Sequence, residues 1–345
     1  MNIITTTLKE KWEALKATNP NIRIKNAAIE LGVSEVELLA TKVGETVTRL
    51  QPNIKEILSE IESLGKVMAL TRNEECVHER KGVYLNPDFS SAFAYVFVGD
   101  DIDLRIFPSV WKKVFSVVEH SEHGSRKSIQ FFSIDGLAIH KIFLTPESNE
   151  DAFDALVEKF KSENQQPFEE VEHVQTTKLE KPDAEIDVEN FKKEWETLKD
   201  THDFFGMLKR HEVSRTQAMR LAPSEFYAQP LEKEAISKML ETAAKTKTHI
   251  MVFVGNKGNI QIHTGEIRKT MWHGDWFNVM DPDFNLHLDV SKVAQTWLVR
   301  KPTTDGIVTS IEVFNEMGDL IVQFFGKRKP GIPEMKAWQE VVESL

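Results

Sequence analysis

The stretch KSIQFFSI (residues 127–134), followed by the turn Asp135-Gly136 and the stretch LAIHKIFL (residues 137–144), decides the fold class. Both stretches are short and rich in the branched and aromatic residues that favour strands. A two-residue Asp-Gly turn between two such stretches is a strong signal for a β-hairpin. This part of the chain is therefore predicted to form antiparallel sheet.

The same pattern recurs 182 positions further along the chain. The second copy consists of VTSIEVF, the dipeptide Met317-Gly318 and DLIVQFFG. Six residues are identical between the copies in one ungapped register: Leu104, Gly124, Ser128, Ile129, Phe132 and Gly136 match Leu286, Gly306, Ser310, Ile311, Phe314 and Gly318. Six such identities are not expected by chance, so the hairpin belongs to a repeated unit.

Capping boxes extend the repeat towards the N-terminus. Ser34 with Glu37, and Ser214 with Gln217, both have the S-x-x-E/Q spacing that opens a helix. Helical periodicity in EDAFDALVEKF and PEMKAWQEVVESL closes each copy. The order of helices, strands and a closing helix predicts an α+β protein built by tandem duplication, in which each half is a large antiparallel β-sheet packed with helices.

The boundary between the copies is marked by a change in composition. Residues 161–189 contain nine acidic residues, two prolines and few large apolar groups, a mixture that cannot build a core. We expect an N-terminal repeat at residues 1–162, an acidic linker at 163–190 and a C-terminal repeat at 191–345.

Composition excludes several functional classes. The 345-residue chain has a formal net charge of −11, which argues against broad nucleic-acid binding. Its single cysteine, Cys76, excludes intrachain disulfides and cysteine-based metal clusters. No apolar stretch approaches the length of a membrane span, and the N-terminus lacks the features of a signal peptide, so we expect no membrane insertion and a cytoplasmic location.

Three segments carry candidate site residues. His202 stands at the start of a predicted helix that Thr201 could cap, with its imidazole free to face a pocket; a purely structural histidine is the alternative. Arg105 lies in a predicted strand on the face opposite Leu104 and Ile106, and the alternation alone favours a solvated arginine over a site residue. Lys301 follows Arg300 near a turn, a pairing that suits an anionic ligand or a solvated hairpin end.

A DNA-binding alternative comes from the helical segments. The stretch NAAIELGVSEVELLA has the turn and capped helix of many helix-turn-helix units, and the second copy carries Arg215 and Arg220. The first predicted recognition helix, however, presents Glu35 and Glu37, which would repel phosphates. Nucleic-acid binding is therefore the weaker hypothesis.

Several longer motifs resemble one protein family. The segments LTRNEECVHE, IDLRIF, SIQFF, THDFF, IMVFVGN, RKPTTDGIVTS and FGKR are similar, in this order, to those of the cytoplasmic haem-utilisation proteins of Gram-negative bacteria called HemS, HmuS or ChuS. The resemblance extends over the whole chain, and the internal duplication is itself a family trait.

The resemblance implies a cleft between the halves that binds one haem. By this resemblance His202 is the axial ligand of the haem iron, and Arg105 is a hydrogen-bond donor on the opposite side of the macrocycle. By the same resemblance, Arg215 and Lys301 are the cations that pair with the two propionates. Met251 and Phe253 are alternate residues on one side of a predicted strand and would contact the porphyrin faces. Gln323 is a further position of this site.

The resemblance also implies a function. We expect a haem-binding protein of haem uptake that promotes iron release by opening the macrocycle, an activity like that of haem oxygenase, with an external electron donor that the sequence does not identify. A non-catalytic haem chaperone is the alternative. A haem importer and a downstream haem acceptor are the implied partners. One departure concerns the distal side, where Ser90-Ser91-Ala92-Phe93-Ala94 replaces a His-Ala-Gly-like segment of the family.

Overall fold

The computed structural model describes residues 6–121, 124–172, 180–329 and 331–345. Within them, the helices are α1 (Leu8–Thr18), α2 (Ile24–Leu31), α3 (Glu35–Ala40), α4 (Ile54–Glu60), α5 (Glu150–Phe160), α6 (Val188–Glu196), α7 (Asp203–His211), α8 (Arg215–Arg220), α9 (Glu234–Thr246) and α10 (Lys336–Glu343). Short 3-10 helices occupy Ile61–Leu64, Pro108–Val110, Asp183–Glu185 and Val290–Lys292. None of the described helices has the length and apolar character that a bilayer span requires.

The strands of the first half are β1 (Val47–Leu50), β2 (Gly65–Arg72), β3 (Cys76–Gly82), β4 (Pro87–Asp88), β5 (Tyr95–Val98), β6 (Asp103–Ile106), β7 (Lys113–Ser121), β8 (Gly124–Phe132) and β9 (Ala138–Ser148). Those of the second half are β10 (Ala228–Leu231), β11 (Ile250–Gly255), β12 (Asn259–Gly265), β13 (Thr270–His273), β14 (Trp276–Met280), β15 (Phe284–Asp289), β16 (Gln295–Thr303), β17 (Gly306–Phe314) and β18 (Leu320–Gly326).

These strands form two nine-stranded sheets. Their orders are β1-β7-β8-β9-β2-β3-β15-β14-β13 and β10-β16-β17-β18-β11-β12-β6-β5-β4. The prediction of large antiparallel sheets packed with helices is confirmed. The order of the strands was not predicted from the sequence, because hydrophobic alternation reports which face of a strand is buried but not which strand lies beside it.

The two predicted hairpins are present with matching irregularities. Strand β8 pairs with β9 and β17 with β18, and the register shifts between Phe131 and Phe132 in one and between Val313 and Phe314 in the other. Gly136, in the first turn, has a φ of 81°, which favours glycine. A side chain at Gly136 would also collide with Ser34. The turn therefore packs directly against the cap of α3.

The chain divides into two compact units. The first comprises residues 1–72, 80–175 and 256–260, and the second comprises residues 73–79, 176–255 and 261–345. Both predicted capping boxes are confirmed: the hydroxyls of Ser34 and Ser214 each accept a hydrogen bond from the backbone N–H three residues later, and the backbone N–H of each serine donates to the side chain of Glu37 or Gln217. Each unit thus begins its sheet-covering helix with the same local device.

The ends of the acidic linker are held by polar contacts to the unit nearest in sequence. The guanidinium of Arg49 donates to the carbonyls of Gln166 and Phe168 at 3.1 and 2.6 Å. At the other end, the amide of Gln217 donates to the carbonyl of Lys181 at 2.7 Å and to the carboxylate of Asp183 at 2.6 Å. Polar contacts therefore hold both ends of the predicted linker, and Val171 and Ile186 also pack against the apolar clusters of the first and second units.

A buried histidine in the first unit gives its stability a defined pH dependence. His140 is fully buried, with Tyr84 Oη 2.6 Å from Nε2 and Thr71 Oγ1 2.9 Å from Nδ1. Burial lowers the pKa of His140 to about 3. The unfolded chain, whose histidines have ordinary pKa values, therefore binds a proton that the folded chain rejects as the pH falls below about 6.5.

We expect the free energy of unfolding to fall by about 2 kcal/mol between pH 7 and pH 5 through His140 alone. Urea unfolding of His140→Gln at the two pH values should show a dependence smaller by that amount than in the wild type. The control His273→Gln changes an exposed histidine of β13 and should leave the dependence unchanged. An equal pH dependence in His140→Gln and the wild type would contradict this assignment.

Candidate functional site

His202 lies immediately before α7, in the second unit. The prediction that Thr201 caps this helix is wrong: His202 itself occupies the cap position, with helical φ and ψ, and no side chain of the cap residue bonds the helix. Asp200 performs part of that role, because its carboxylate accepts a hydrogen bond from the backbone N–H of His202 at 2.8 Å. The helix α7 therefore begins at Asp203, one residue later than a cap at Thr201 would predict.

The imidazole of His202 is presented to its surroundings in one defined tautomer. Its side chain is 92% exposed, and Nδ1 lies 2.6 Å from Oδ1 of Asp200. Hydrogen bonds from His202, first from the backbone and then from the side chain, lower the pKa of the Asp200 carboxyl. An ionised carboxylate can only accept, so the proton of the neutral ring resides on Nδ1. The lone pair of Nε2 is therefore available to a metal ion.

Met251, Phe253 and Gln323 share one face of the second unit's sheet. Phe253 pairs with Gln323 and Met251 pairs with Phe325 between β11 and β18, and paired residues point to the same side. The intervening residues Ile250, Val252 and Val254 are fully buried on the other side. The predicted alternation of β11 is confirmed, and the three residues predicted to line the site lie side by side on this face.

The same face carries a buried charge cluster. Glu312 on β17 pairs with Gln323 in the sheet and is fully buried. It accepts a hydrogen bond from Nζ of Lys301 at 2.6 Å and a bidentate pair from Nε and Nη2 of Arg215 at 2.7 and 3.0 Å. The ring of Phe204 packs against both cations, at 4.6 Å from Lys301 Nζ and 5.5 Å from the Arg215 guanidinium.

The cluster keeps a net positive charge at neutral pH. Burial would raise the pKa of the Glu312 carboxyl, but Arg215 and Lys301 outweigh burial and hold that pKa far below its usual range. Burial lowers the pKa of Lys301 to about 8 although Glu312 opposes the shift, so the amine remains mostly protonated at neutral pH. Two cations and one carboxylate create a potential that attracts anions.

The two predicted propionate ligands differ in accessibility. The side chain of Arg215 is 23% exposed, whereas that of Lys301 is 3% exposed. In this structure Arg215 is therefore the cation that an anionic ligand can contact directly. The buried ammonium of Lys301 adds to the positive potential and holds the carboxylate of Glu312 in place by its hydrogen bond.

Arg105 lies in the first unit, on β6. Leu104 and Ile106 are fully buried while Arg105 is partly exposed, so the predicted alternation of this strand is confirmed. The guanidinium of Arg105 pairs with Asp103 and donates to the carbonyl of Leu104 at 3.1 Å. Burial raises the pKa of the Asp103 carboxyl despite the charge of Arg105. The carboxylate and the carbonyl hold the guanidinium close to its own strand.

The divergent segment Ser90-Ser91-Ala92-Phe93-Ala94 forms the loop between β4 and β5. The hydroxyl oxygen of Ser91 accepts hydrogen bonds from the backbone N–H groups of Phe93 and Ala94 at 3.1 and 3.3 Å. The side chain of Phe93 is 87% exposed. The segment thus forms a serine-stabilised turn with an exposed aromatic side chain.

Two residues of the candidate site were missed in the sequence analysis. Asp200 could have been found from the Asp-x-His spacing, because an aspartate often bonds the backbone two residues ahead. Glu312 could have been suspected from its place in SIEVF, where a carboxylate alternates with core residues in a strand. A buried carboxylate requires a cationic partner, which directs attention to Arg215 and Lys301.

His202 is the residue of the candidate site with a donor atom suited to iron. Within the described ranges, no group of three or more His, Cys, Asp or Glu side chains is placed to hold a metal ion. The exposed imidazole of His202 offers one nitrogen donor, which fits an iron whose equatorial ligands come from a porphyrin. The chemistry of the donor set therefore agrees with haem.

A family profile described as a haemin-degrading HemS.ChuX domain matches residues 32–160 and 212–345. The chain belongs to this family. It is 36% identical over 342 residues to the hemin transport protein HmuS of Yersinia pestis, covering 98% of this chain and 97% of that protein. The matched ranges fall in both repeats, which confirms the resemblance drawn from the sequence motifs.

Solved structures of the family have the same fold. Holo-PhuS, a heme-binding protein from Pseudomonas aeruginosa, is 44% identical with a TM-score of 0.95 and 98% coverage of both chains. ChuS of Escherichia coli O157:H7, a heme-degrading enzyme, is 34% identical with a TM-score of 0.91 and 98% coverage of both chains. The fold is thus shared by one relative described as heme-binding and one described as heme-degrading.

Proposed function

We propose that this protein binds one haem in haem utilisation, with His202 as the axial ligand, and promotes release of the iron by opening the macrocycle. The observation that carries the proposal is the His202 imidazole, whose Nδ1 is held by Asp200 and whose Nε2 is exposed. The apolar and cationic face of the same unit, formed by Met251, Phe253 and Arg215, supplies contacts of the kinds that a porphyrin and its propionates need.

Each of these residues has a distinct task in binding. Haem supplies the redox-active iron and the ring that is opened. Met251 and Phe253 would exclude water from the porphyrin face, and Gln323 adds a polar group beside Phe253. Arg215 would pair with a propionate while keeping its bonds to Glu312. The guanidinium of Arg105 would donate hydrogen bonds on the distal side.

Arg105→Ala is expected to slow ring opening while hemin binding persists. Loss of one hydrogen-bond donor at a reacting centre lowers a rate by about tenfold or more, whereas the axial ligand remains. The measurement is the rate of linear tetrapyrrole formation from bound hemin with a reductant, in the presence of catalase. Arg268→Ala, on the exposed surface of the second unit, is the control and should behave as the wild type. An undiminished rate in Arg105→Ala would remove Arg105 from this role.

Arg215→Ala is expected to shorten the retention of hemin. The variant lacks the exposed cation that would pair with a propionate, so dissociation to excess apomyoglobin should be faster by about tenfold. Arg220→Ala is the matched control, because it also lies on α8 but pairs with the surface residue Glu180. Equal dissociation rates in all three proteins would contradict the propionate assignment.

The second candidate function is a haem chaperone without catalysis. The relatives described as hemin transport proteins favour it, and the same ligands would serve both functions. Hemin that passes intact to an acceptor, with no linear tetrapyrrole formed under reductant, would decide for the chaperone. In either case the proposed partners are a haem importer and a downstream acceptor, and the proposed location is the cytoplasm, which cell fractionation would test.

The geometry does not favour the DNA-binding alternative. Helices α3 and α8 have six residues each, and most of their side chains are buried within their own units. Glu35 is ion-paired with Lys141 and Arg72, and Arg215 is bonded to Glu312. A recognition helix must expose such residues to the major groove. We expect no DNA binding below micromolar protein in an anisotropy titration at physiological salt.

A further inference from the structure

We propose that Asp200 is a positioning residue for the haem iron: it holds the His202 imidazole in orientation and increases electron donation from Nε2 to the iron. The inference rests on the proposed function, since it requires His202 as the ligand. It adds a residue that neither the sequence motifs nor the comparisons assign to the site.

The geometry of Asp200 is specific to this task. One carboxylate oxygen, Oδ1, accepts from both the backbone N–H and the ring Nδ1 of His202, at 2.8 and 2.6 Å. The first contact fixes the backbone of His202, and the second fixes the rotation of its ring. A single acceptor that bonds both groups leaves one ring orientation, in which Nε2 points away from Asp200.

Asp200 is itself attached to the folded unit. The carbonyl of Lys199 accepts from the backbone N–H of Thr304 at 3.0 Å, in the turn between β16 and β17. Leu198 is buried in the core formed by α6, α7 and α8, and the carbonyl of Asp200 accepts from the N–H of Asp203 at 3.1 Å. The carboxylate is therefore held at a fixed position, although its side chain is 57% exposed.

The electronic consequence follows from the charge on the acceptor. A carboxylate that accepts the Nδ1–H bond draws the proton towards itself and leaves more electron density on the ring. A more basic imidazole stabilises ferric over ferrous iron and strengthens the iron–nitrogen bond. A neutral acceptor of the same shape would keep the hydrogen bond but lose most of this effect.

Asp200→Asn is therefore the decisive substitution, because it removes the charge and keeps an oxygen at the same place. We expect hemin to bind with a Soret band still supplied by His202, but with affinity reduced about tenfold. The ferric–ferrous equilibrium should shift about tenfold towards ferrous, which raises the midpoint potential by about 59 mV. Resonance Raman of the ferrous form should show the iron–histidine stretch at lower frequency.

Asp203→Asn is the matched control. Asp203 is exposed, lies in the first turn of α7 and forms no bond to the His202 ring among those described. It changes the local charge by the same amount, so it should leave the potential and the stretching frequency at the wild-type values. A shift caused merely by charge near the site would be equal in the two variants and would overturn the proposal.

The remaining outcomes are also decisive. If Asp200→Asn binds hemin more weakly but keeps the wild-type potential and stretching frequency, Asp200 has only a structural role and the proposal is wrong. If the midpoint potential and stretching frequency of Asp200→Asn equal those of the wild type while His202→Ala loses the ligated spectrum, the proposed function is supported and the proposed role of Asp200 is wrong. If the wild type shows no saturable hemin binding, both fall together.

Discussion

The His202→Ala variant is expected to lose the sharp Soret band of ligated hemin and at least about 100-fold in affinity. The side chain is exposed and makes its one hydrogen bond in the described structure to Asp200, so its removal should not unfold the unit. What is lost is the bond from Nε2 to the iron, which apolar and ionic contacts to the porphyrin cannot replace. Visible absorption during hemin titration measures both quantities.

A control and a rescue distinguish ligation from other effects. His249→Ala removes another partly exposed histidine of the same unit, which also has a carboxylate neighbour, Glu266, at 3.3 Å. It should titrate as the wild type does. Added imidazole should restore a ligated spectrum to His202→Ala. An unchanged band and affinity in His202→Ala would show that another group ligates the iron.

Glu312→Gln is expected to lower the free energy of unfolding of the second unit by about 3–5 kcal/mol. The substitution is nearly isosteric, so the loss arises from charge. The ammonium of Lys301 and the guanidinium of Arg215 would then lie close together in the protein interior without a counter-charge. Because the pKa of Glu312 is far below its usual range, the carboxylate stabilises the fold throughout the neutral range.

Urea unfolding followed by circular dichroism measures this loss. Glu194→Gln is the matched control: Glu194 also contacts two basic side chains, Arg210 and His211, but is 30% exposed. Its substitution should cost less than about 1 kcal/mol, because water screens and replaces such pairs. Equal stability of Glu312→Gln and the wild type would contradict the interpretation of the cluster as a fixed, coupled unit.

The local features of the fold could be predicted because they depend on neighbours in sequence. The hairpin turn at Gly136, the capping boxes at Ser34 and Ser214 and the alternation around Arg105 each involve residues within a few positions of one another. Strand order is different, since it is set by contacts between distant segments. The sequence therefore predicts the sheets but not the order of the strands within them.

The candidate site likewise contains residues that the sequence predicts and partners that it does not. Alternation placed Met251 and Phe253 on one face, and the register then added Gln323 as a neighbour. The partners that define the chemistry are remote or unconventional: Glu312 lies 97 residues from Arg215, and Asp200 replaces Thr201 at the helix start. No periodicity predicts the pairing of Arg215 with a residue as distant in sequence as Glu312.

Comparison of the two repeats explains why their sites differ. Glu35 occupies in α3 the place that Arg215 occupies in α8, 180 positions later, and Lys141 lies 182 positions before Gln323. In the first unit Glu35 is ion-paired with Lys141 and Arg72. The buried cation Lys141 of the first unit thus corresponds to the neutral amide Gln323 of the second unit. The repeats have retained a helix-to-sheet ion pair with its polarity reversed.

The most direct test of the account is a hemin titration of the purified wild-type protein followed at the Soret band. A sharp band that saturates at one hemin per chain is expected for a single axial histidine. A broad band that rises without saturation, or saturation at two hemins per chain with equal affinity, would contradict the assignment of one haem to His202.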